Sequence, residues 1–281
     1  MSDRVTVKID NGVADVRLNR PDKLNALDGD LILALVEAGA RLARDNAVRA
    51  VVLSGEGRAF SAGLDFAGFM AMAGGRGTVD RGADAPGEDA TGDIGSIGRV
   101  DGRITHLAQQ AAHCWSEVPV PVIAAIRGHC LGGGLQIALG ADIRIVHPEA
   151  KLSVLEIRWG LSPDMTGTAT LPRLVGPDVA KELTWTGRMV DGEEAARIGL
   201  ATRTSETPLE DALALAAEIA TRSPHAIRGV KRLLDQAGTV PLPQQYADER
   251  HVIGSLIGTP NQVEAVAAYF EKRDPSFADP E

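Results

Sequence analysis

Residues 128–142 read GHCLGGGLQIALGAD, with three consecutive glycines leading directly into an apolar run of helical spacing. A helix that opens on glycine leaves its first-turn N–H groups unpaired and lets another molecule reach the backbone with no Cβ in the way. Those donors, added to the helix dipole, suit a negatively charged atom. Close packing of a helix start against a strand is the competing reading of an isolated triplet. A second loop bears on the choice. Gly55-Glu56-Gly57-Arg58-Ala59-Phe60-Ser61-Ala62-Gly63-Leu64-Asp65 also follows a buried strand, RAVVLSG, and also places glycine ahead of a possible helix. Two loops that each contribute one N–H can hold an oxygen from two directions, and each preorganised donor contributes about 3–4 kcal/mol to a developing charge.

The surrounding pattern is mixed α/β. VTVKIDNGVADVRLNR alternates on both sides of Asp10-Asn11-Gly12, the signature of a tight hairpin. LDGDLILALVEAGARLARD repeats Leu and Ala at helical spacing and opens at Asp28, a good N-cap. ITHLAQQAAHCWSEV reads as helix, VPVPVIAAIRG and ADIRIVHP as buried strands, and KLSVLEIRWGLSPDMTG as strand and loop. TLPRLVGPDVAKELTWTG, DGEEAARIGL, LEDALALAAEIATRS, PHAIRGVKRLLDQ and QVEAVAAYFEKRD are helical. An α/β part over 1–205 and a helical region over 206–281 is the expected division. Residues 74–98, rich in Gly, Asp and Ala, break all periodicity. They read as a flexible insertion, either a lid near a ligand or a solvated loop with no role.

A net charge of −9 argues against nucleic-acid or anionic-membrane partners but leaves room for a phosphorylated ligand held by a local basic patch. Cys114 and Cys130, the only cysteines, lack metal-ligand spacing and read as reduced thiols. With no apolar signal core in MSDRVTVKID, the expected location is cytoplasmic. Spacing excludes a nucleotide phosphate loop, a dinucleotide fingerprint after the first strand and a G-x-S-x-G elbow. His106, His113, His129 and His147 are scattered, with structural or surface roles expected, and no metal site is expected.

Several ordered motifs carry a resemblance. RPDKLNAL, GEGRAFSAGLDF, IAAIRGHCLGGGLQIALGADIRI, LEIRWGLSPDMTGTATLPRLVG and AKELTWTGRMVDGEEAARIGL are similar to the enoyl-CoA hydratase/isomerase family, the crotonases, over about residues 5–273. The resemblance implies a crotonase-like spiral of ββα units with a C-terminal helical oligomerisation region. It also implies a coenzyme A thioester as substrate with no tightly bound cofactor, and a trimer or a hexamer of paired trimers.

Residue by residue, the resemblance implies an oxyanion hole from the backbone N–H groups of Leu64 and Gly133 around a thioester enolate. Glu156 matches the second of two hydratase glutamates, while the first is replaced by Gln136. An amide can orient water but cannot exchange a proton at neutral pH. Asp164 stands where related dienoyl-CoA isomerases carry a second acid. As a residue read by itself, it could equally cap a helix near Met165. Double-bond isomerisation through Glu156 is therefore the favoured reaction, with hydration, acyl-CoA hydrolysis and a non-catalytic CoA-binding role as alternatives. Arg20, Lys23, Ala59 and Ala62 match positions that meet CoA, and Tyr269 and Lys272 match residues that reach a neighbouring subunit's CoA. Phe66, Phe69, Trp115 and Trp159 are expected near the acyl pocket.

Overall fold

The computed structural model describes residues 3–65 and 103–281. The 74–98 insertion, the helix expected after Leu64, and Phe66 and Phe69 lie outside the described residues.

Strands β1 (Val5–Asp10) and β2 (Val13–Leu18) form the expected hairpin. Asn11 and Gly12 supply the two positive φ angles of its turn, 48° and 78°. Helix α1 (Gly29–Leu42) starts where expected, with the Asp28 carboxylate accepting from Leu31 N–H at 2.8 Å. Strand β3 (Ala50–Gly55) runs parallel to β2. After α2 (Leu107–Glu117), the remaining strands divide between two sheets. β4 (Val122–Ile126), β6 (Ile143–Val146) and β9 (Arg203–Thr204) join the large sheet, in the order β1-β2-β3-β4-β6-β9. β5 (His129–Leu131), β7 (Lys151–Ser153) and β8 (Val190–Asp191) form a small sheet of order β5-β7-β8. Successive turns of the chain thus lay one strand on each sheet. Helices α3 (Gly133–Leu139), α4 (Gly167–Val175), α5 (Pro177–Thr186) and α6 (Gly192–Arg197) fill the intervals.

The large sheet is covered on both faces, which explains why its strands read as continuous apolar runs. Along β3, Val51 and Leu53 face a core built with Leu31, Leu35, Trp115 and Leu135, while Ala50 and Val52 face the opposite side. There α7 (Pro208–Ala220) lays Ala212, Ala216 and Ala220 against Ile123, Ala125 and Ile145. Spaced four apart, these alanines form one narrow stripe that lets the helix approach the strands. Helices α8 (Pro224–Asp235), α9 (Leu242–Leu256) and α10 (Pro260–Glu271) complete the chain. α9 was not expected from sequence. It buries only Val252 among its own residues, so it carries little apolar periodicity to detect. The segment read as one helical run over 170–187 is two helices, parted at Gly176 (φ 82°) and Pro177.

One ion pair fastens α8 to the sheet. Buried Lys231 donates to Asp142 at 2.5 Å and faces Asp235 at 3.5 Å, while the second Asp142 oxygen accepts from Val122 N–H at 2.7 Å. Lys231→Ala leaves Asp142 without its cation. It is expected to lower unfolding free energy by about 2 kcal/mol in urea denaturation, reduced from a fully buried pair because Asp142 keeps some solvent contact. No helix among the described residues is long and apolar enough to cross a membrane. Cys114 and Cys130 are buried free thiols, and no described group of three His, Cys, Asp or Glu is placed to hold a metal.

Candidate active site

Both glycine loops lie at the carboxyl ends of strands, stacked as neighbouring rungs. Ser61 bridges Cys130 of β5 in parallel, and Cys130 in turn pairs with Leu152 of β7. Three residues further along each chain segment come Leu64 and Gly133. On its other edge Leu27 N–H donates to Gly63 O at 2.7 Å, and Asp65 N–H donates to Leu27 O at 3.0 Å. Alternation along a parallel ladder then turns the N–H of the intervening Leu64 away from Leu27, toward the rung that carries Gly132 and Gly133. Gly133 is the first residue of α3, so its N–H has no partner within the helix.

Gly63 and Gly132 are required by backbone angle, while Gly133 is packed closely against movable side chains. Gly63 has φ 85°, and a Cβ there would stand 2.8 Å from Leu131 O. Gly132 combines φ 52° with ψ −124°, a conformation reserved to glycine. A Cβ on Gly133 would stand 2.7 Å from Met165 Sδ and 2.9 Å from Leu27 Cδ1.

Glu156 begins a 3-10 turn just after β7 and is buried at 9% exposure. One carboxyl oxygen accepts from the Gln136 amide at 2.6 Å, and a Cβ on Gly132 would stand 3.4 Å from that same oxygen. The other oxygen is buried without a hydrogen-bond partner among the described residues. Burial pushes the Glu156 pKa above the ordinary carboxylate range, against the pull of backbone N–H groups and Gln136, and nearby Asp164 pushes it further.

Gln136, 1% exposed, is fully engaged through its carbonyl, which accepts from Met165 N–H at 2.9 Å and Gly167 N–H at 3.0 Å. These bonds pin the loop that carries Asp164. Asp164 is solvent-accessible but crowded by protein atoms. Partial desolvation raises its pKa, and the charge of His106 pulls the other way. The capping alternative for Asp164 fails, because α4 begins at Gly167 behind Thr166 with no side-chain cap. His106 holds the structural role expected of it from sequence. It caps α2 by accepting from Gln109 N–H at 3.3 Å while Gln109 caps His106 N–H in return, and it lies within electrostatic reach of Asp164. A His-Leu-Ala-Gln capping signature was present in the sequence, but nothing there linked it to an acid 58 positions on.

Gln136, Glu156 and Asp164 therefore lie together beside Gly132, and the two glycine loops meet at the Ser61–Cys130 bridge. The expected CoA-binding residues are less uniform. Arg20 is engaged internally, with Asp65 at 2.6 Å, Asp28 at 3.4 Å and the Ala26 carbonyl at 3.0 Å. Lys23 is exposed on the neighbouring 3-10 turn. Ala59 is buried with its carbonyl held by Asn25 at 2.8 Å, and Ala62 N–H donates to Leu24 O at 2.9 Å. Tyr269 and Lys272 are exposed at the end of α10 and make no hydrogen bond or ion pair with the other candidate residues among those described. Trp115 is a fully buried core residue, not a wall open to a cavity, whereas Trp159 is half exposed.

A buried carboxyl of raised proton affinity can accept and return a proton. The family profile described as Enoyl-CoA hydratase/isomerase matches residues 8–84 and 85–280. The mouse Mus musculus protein named "Enoyl-CoA hydratase domain-containing protein 2, mitochondrial" is 33% identical, over 95% of this chain and 84% of its own length. "Crotonyl-CoA hydratase" of Syntrophomonas wolfei is 29% identical, with 98% of each chain covered. A crystal structure of enoyl-CoA hydratase from Bacillus anthracis superposes with a TM-score of 0.82 at 29% identity, covering 98% of both chains. With its stacked rungs, its two sheets and these matches over nearly its whole length, the chain belongs to the enoyl-CoA hydratase/isomerase family, the crotonases.

Proposed function

We propose that this crotonase hydrates a 2-enoyl-CoA, using the N–H groups of Leu64 and Gly133 to bind the thioester oxygen and Glu156 to move the proton. The observation that carries the reading is the buried Glu156 carboxyl beside Gly132, with its second oxygen left without a partner among the described residues. As water oxygen bonds to C3, its proton passes to Glu156 and the C2–C3 π pair shifts into an enolate, whose charge rests on the thioester oxygen. Return of that proton to C2 restores the thioester and leaves a 3-hydroxyacyl-CoA. A single acid suffices for both transfers, and its raised pKa suits it to take the proton and return it. The relatives named as hydratases support this reaction over the isomerisation expected from sequence.

Double-bond isomerisation keeps one specific observation in its favour, the neutral Gln136 beside Glu156. The two reactions are separated by supplying crotonyl-CoA and a 3-enoyl-CoA. Loss of conjugated-thioester absorbance with the first supports hydration, and gain with the second supports isomerisation. Release of free CoA thiol, or inertness toward both substrates, would overturn the proposal.

Assembly into trimers or paired trimers belongs to the same proposal. α8, α9 and α10 expose Leu234, Tyr246, Ile253, Ile257, Val263 and Phe270 in the single chain, more apolar surface than a lone helical region normally leaves uncovered. Tyr269 and Lys272 would then serve a neighbour's CoA, and Lys23 its own.

A further inference from the structure

We infer that Gln136 is a positioning residue: its carbonyl ties down the Asp164 loop and its amide holds one oxygen of Glu156, so that a single carboxyl moves protons at this end of the site. The inference rests on the proposed proton-transfer role of Glu156. It assigns Gln136 to the protein's own acid, where the sequence alone suggested an amide that orients water.

Three contacts carry it. Gln136 Oε1 accepts from Met165 N–H and Gly167 N–H at 2.9 and 3.0 Å, and Gln136 Nε2 donates to Glu156 at 2.6 Å. The side chain is 1% exposed and its carbonyl oxygen is taken up by two backbone donors, so the amide is committed to protein groups. Both backbone partners are donors and the Glu156 carboxylate is an acceptor. Only a group with an acceptor at one end and a donor at the other satisfies all three, and an amide does so in either ionisation state of Glu156. A carboxylate at position 136 would keep the two backbone bonds but set two acceptor oxygens face to face. Such a pair must share a proton and titrates as a unit. The amide thus removes proton sharing between positions 136 and 156, leaving Asp164 as the acid that acts on Glu156 through its charge, and it leaves the other Glu156 oxygen as the one not already held.

Gln136→Glu separates this role from simple anchoring of the loop, because only the donation to Glu156 is lost. The expected result is a pH–rate profile whose base-requiring limb moves to higher pH by about one unit or more, which is roughly a tenfold loss of rate on that limb. An unchanged limb would overturn the inference and leave Gln136 a structural anchor. Carboxyl-carbon NMR of glutamate-labelled protein, with the Glu156 signal assigned by its absence in Glu156→Gln, reads the same shift without turnover. The inference is therefore tested even if the enzyme proves inert toward both enoyl-CoA substrates. If Gln136→Glu fails to fold, the wild-type Gln136 side-chain amide signals provide the reading. They should shift with pH at the Glu156 midpoint, and amide signals indifferent to that titration would overturn the inference.

Discussion

Glu156→Gln is expected to lower turnover of an enoyl-CoA by about 10²–10⁴-fold, the usual contribution of a positioned acid–base group. Affinity for a non-reacting acyl-CoA, measured by calorimetry, should be nearly unchanged, because the backbone donors and the Gln136 hydrogen bond survive the substitution. Turnover within a few-fold of the parent would refute the assignment of Glu156. Stability should move the opposite way. Burial raises the folded-state pKa of Glu156 above its unfolded value, so the folded protein binds this proton more tightly. Its contribution is then fully present below the unfolded pKa and is lost as pH rises through the folded one. The amide mimics the neutral acid at every pH. The variant should therefore melt higher than the parent at mildly alkaline pH, and the two should converge in acid, a trade of stability for activity that is common at functional carboxyls.

Gly133→Pro is expected to lower turnover by about 10²–10³-fold through loss of one donor to the thioester oxygen. Proline is tolerated at the first position of a helix, where the N–H has no helical partner. Gly133→Ala is the necessary control. It introduces the same Cβ against Met165 and Leu27 but retains the N–H. Both contacts are with side-chain atoms that can shift, so alanine should cost far less than proline in rate. Equal losses in the two variants would mean that crowding, and not the missing hydrogen, is responsible. Leu64→Ala, by contrast, should preserve most activity, since the proposed donor there is the main chain and the side chain is substantially exposed.

What was legible in the sequence was mostly local. Asn11-Gly12 announces its turn because few other pairs accept two positive φ angles, and Asp28 announces its helix because the capping bond spans only three residues. The glycine loops were legible because backbone approach has a compositional signature. The partners of Gln136 were not. Met165 and Gly167 lie about one turn of the chain further on, and no spacing rule connects an amide to N–H groups that distant in sequence. The same applies to Arg20. A basic residue beside a motif suggests a phosphate ligand, while the fold directs this guanidinium to Asp65 and Asp28. β5, β8 and β9 span only two or three residues each, too few for alternation to register. The choice between hydration and isomerisation was also beyond the motifs, because both reactions, as proposed, would draw on the same donors and the same acid.

The rung-on-rung stacking of Ser61 and Cys130 has an evolutionary corollary. If grip on a thioester comes from amides on adjacent rungs, its gauge is inter-strand spacing, about 4.8 Å, which side-chain mutation cannot retune. Drift at positions 136, 156 or 164 would then redirect or silence the chemistry while the ligand is still captured. A descendant of this chain stripped of its acids should persist as a receptor for acyl thioesters rather than decay into an inert protein.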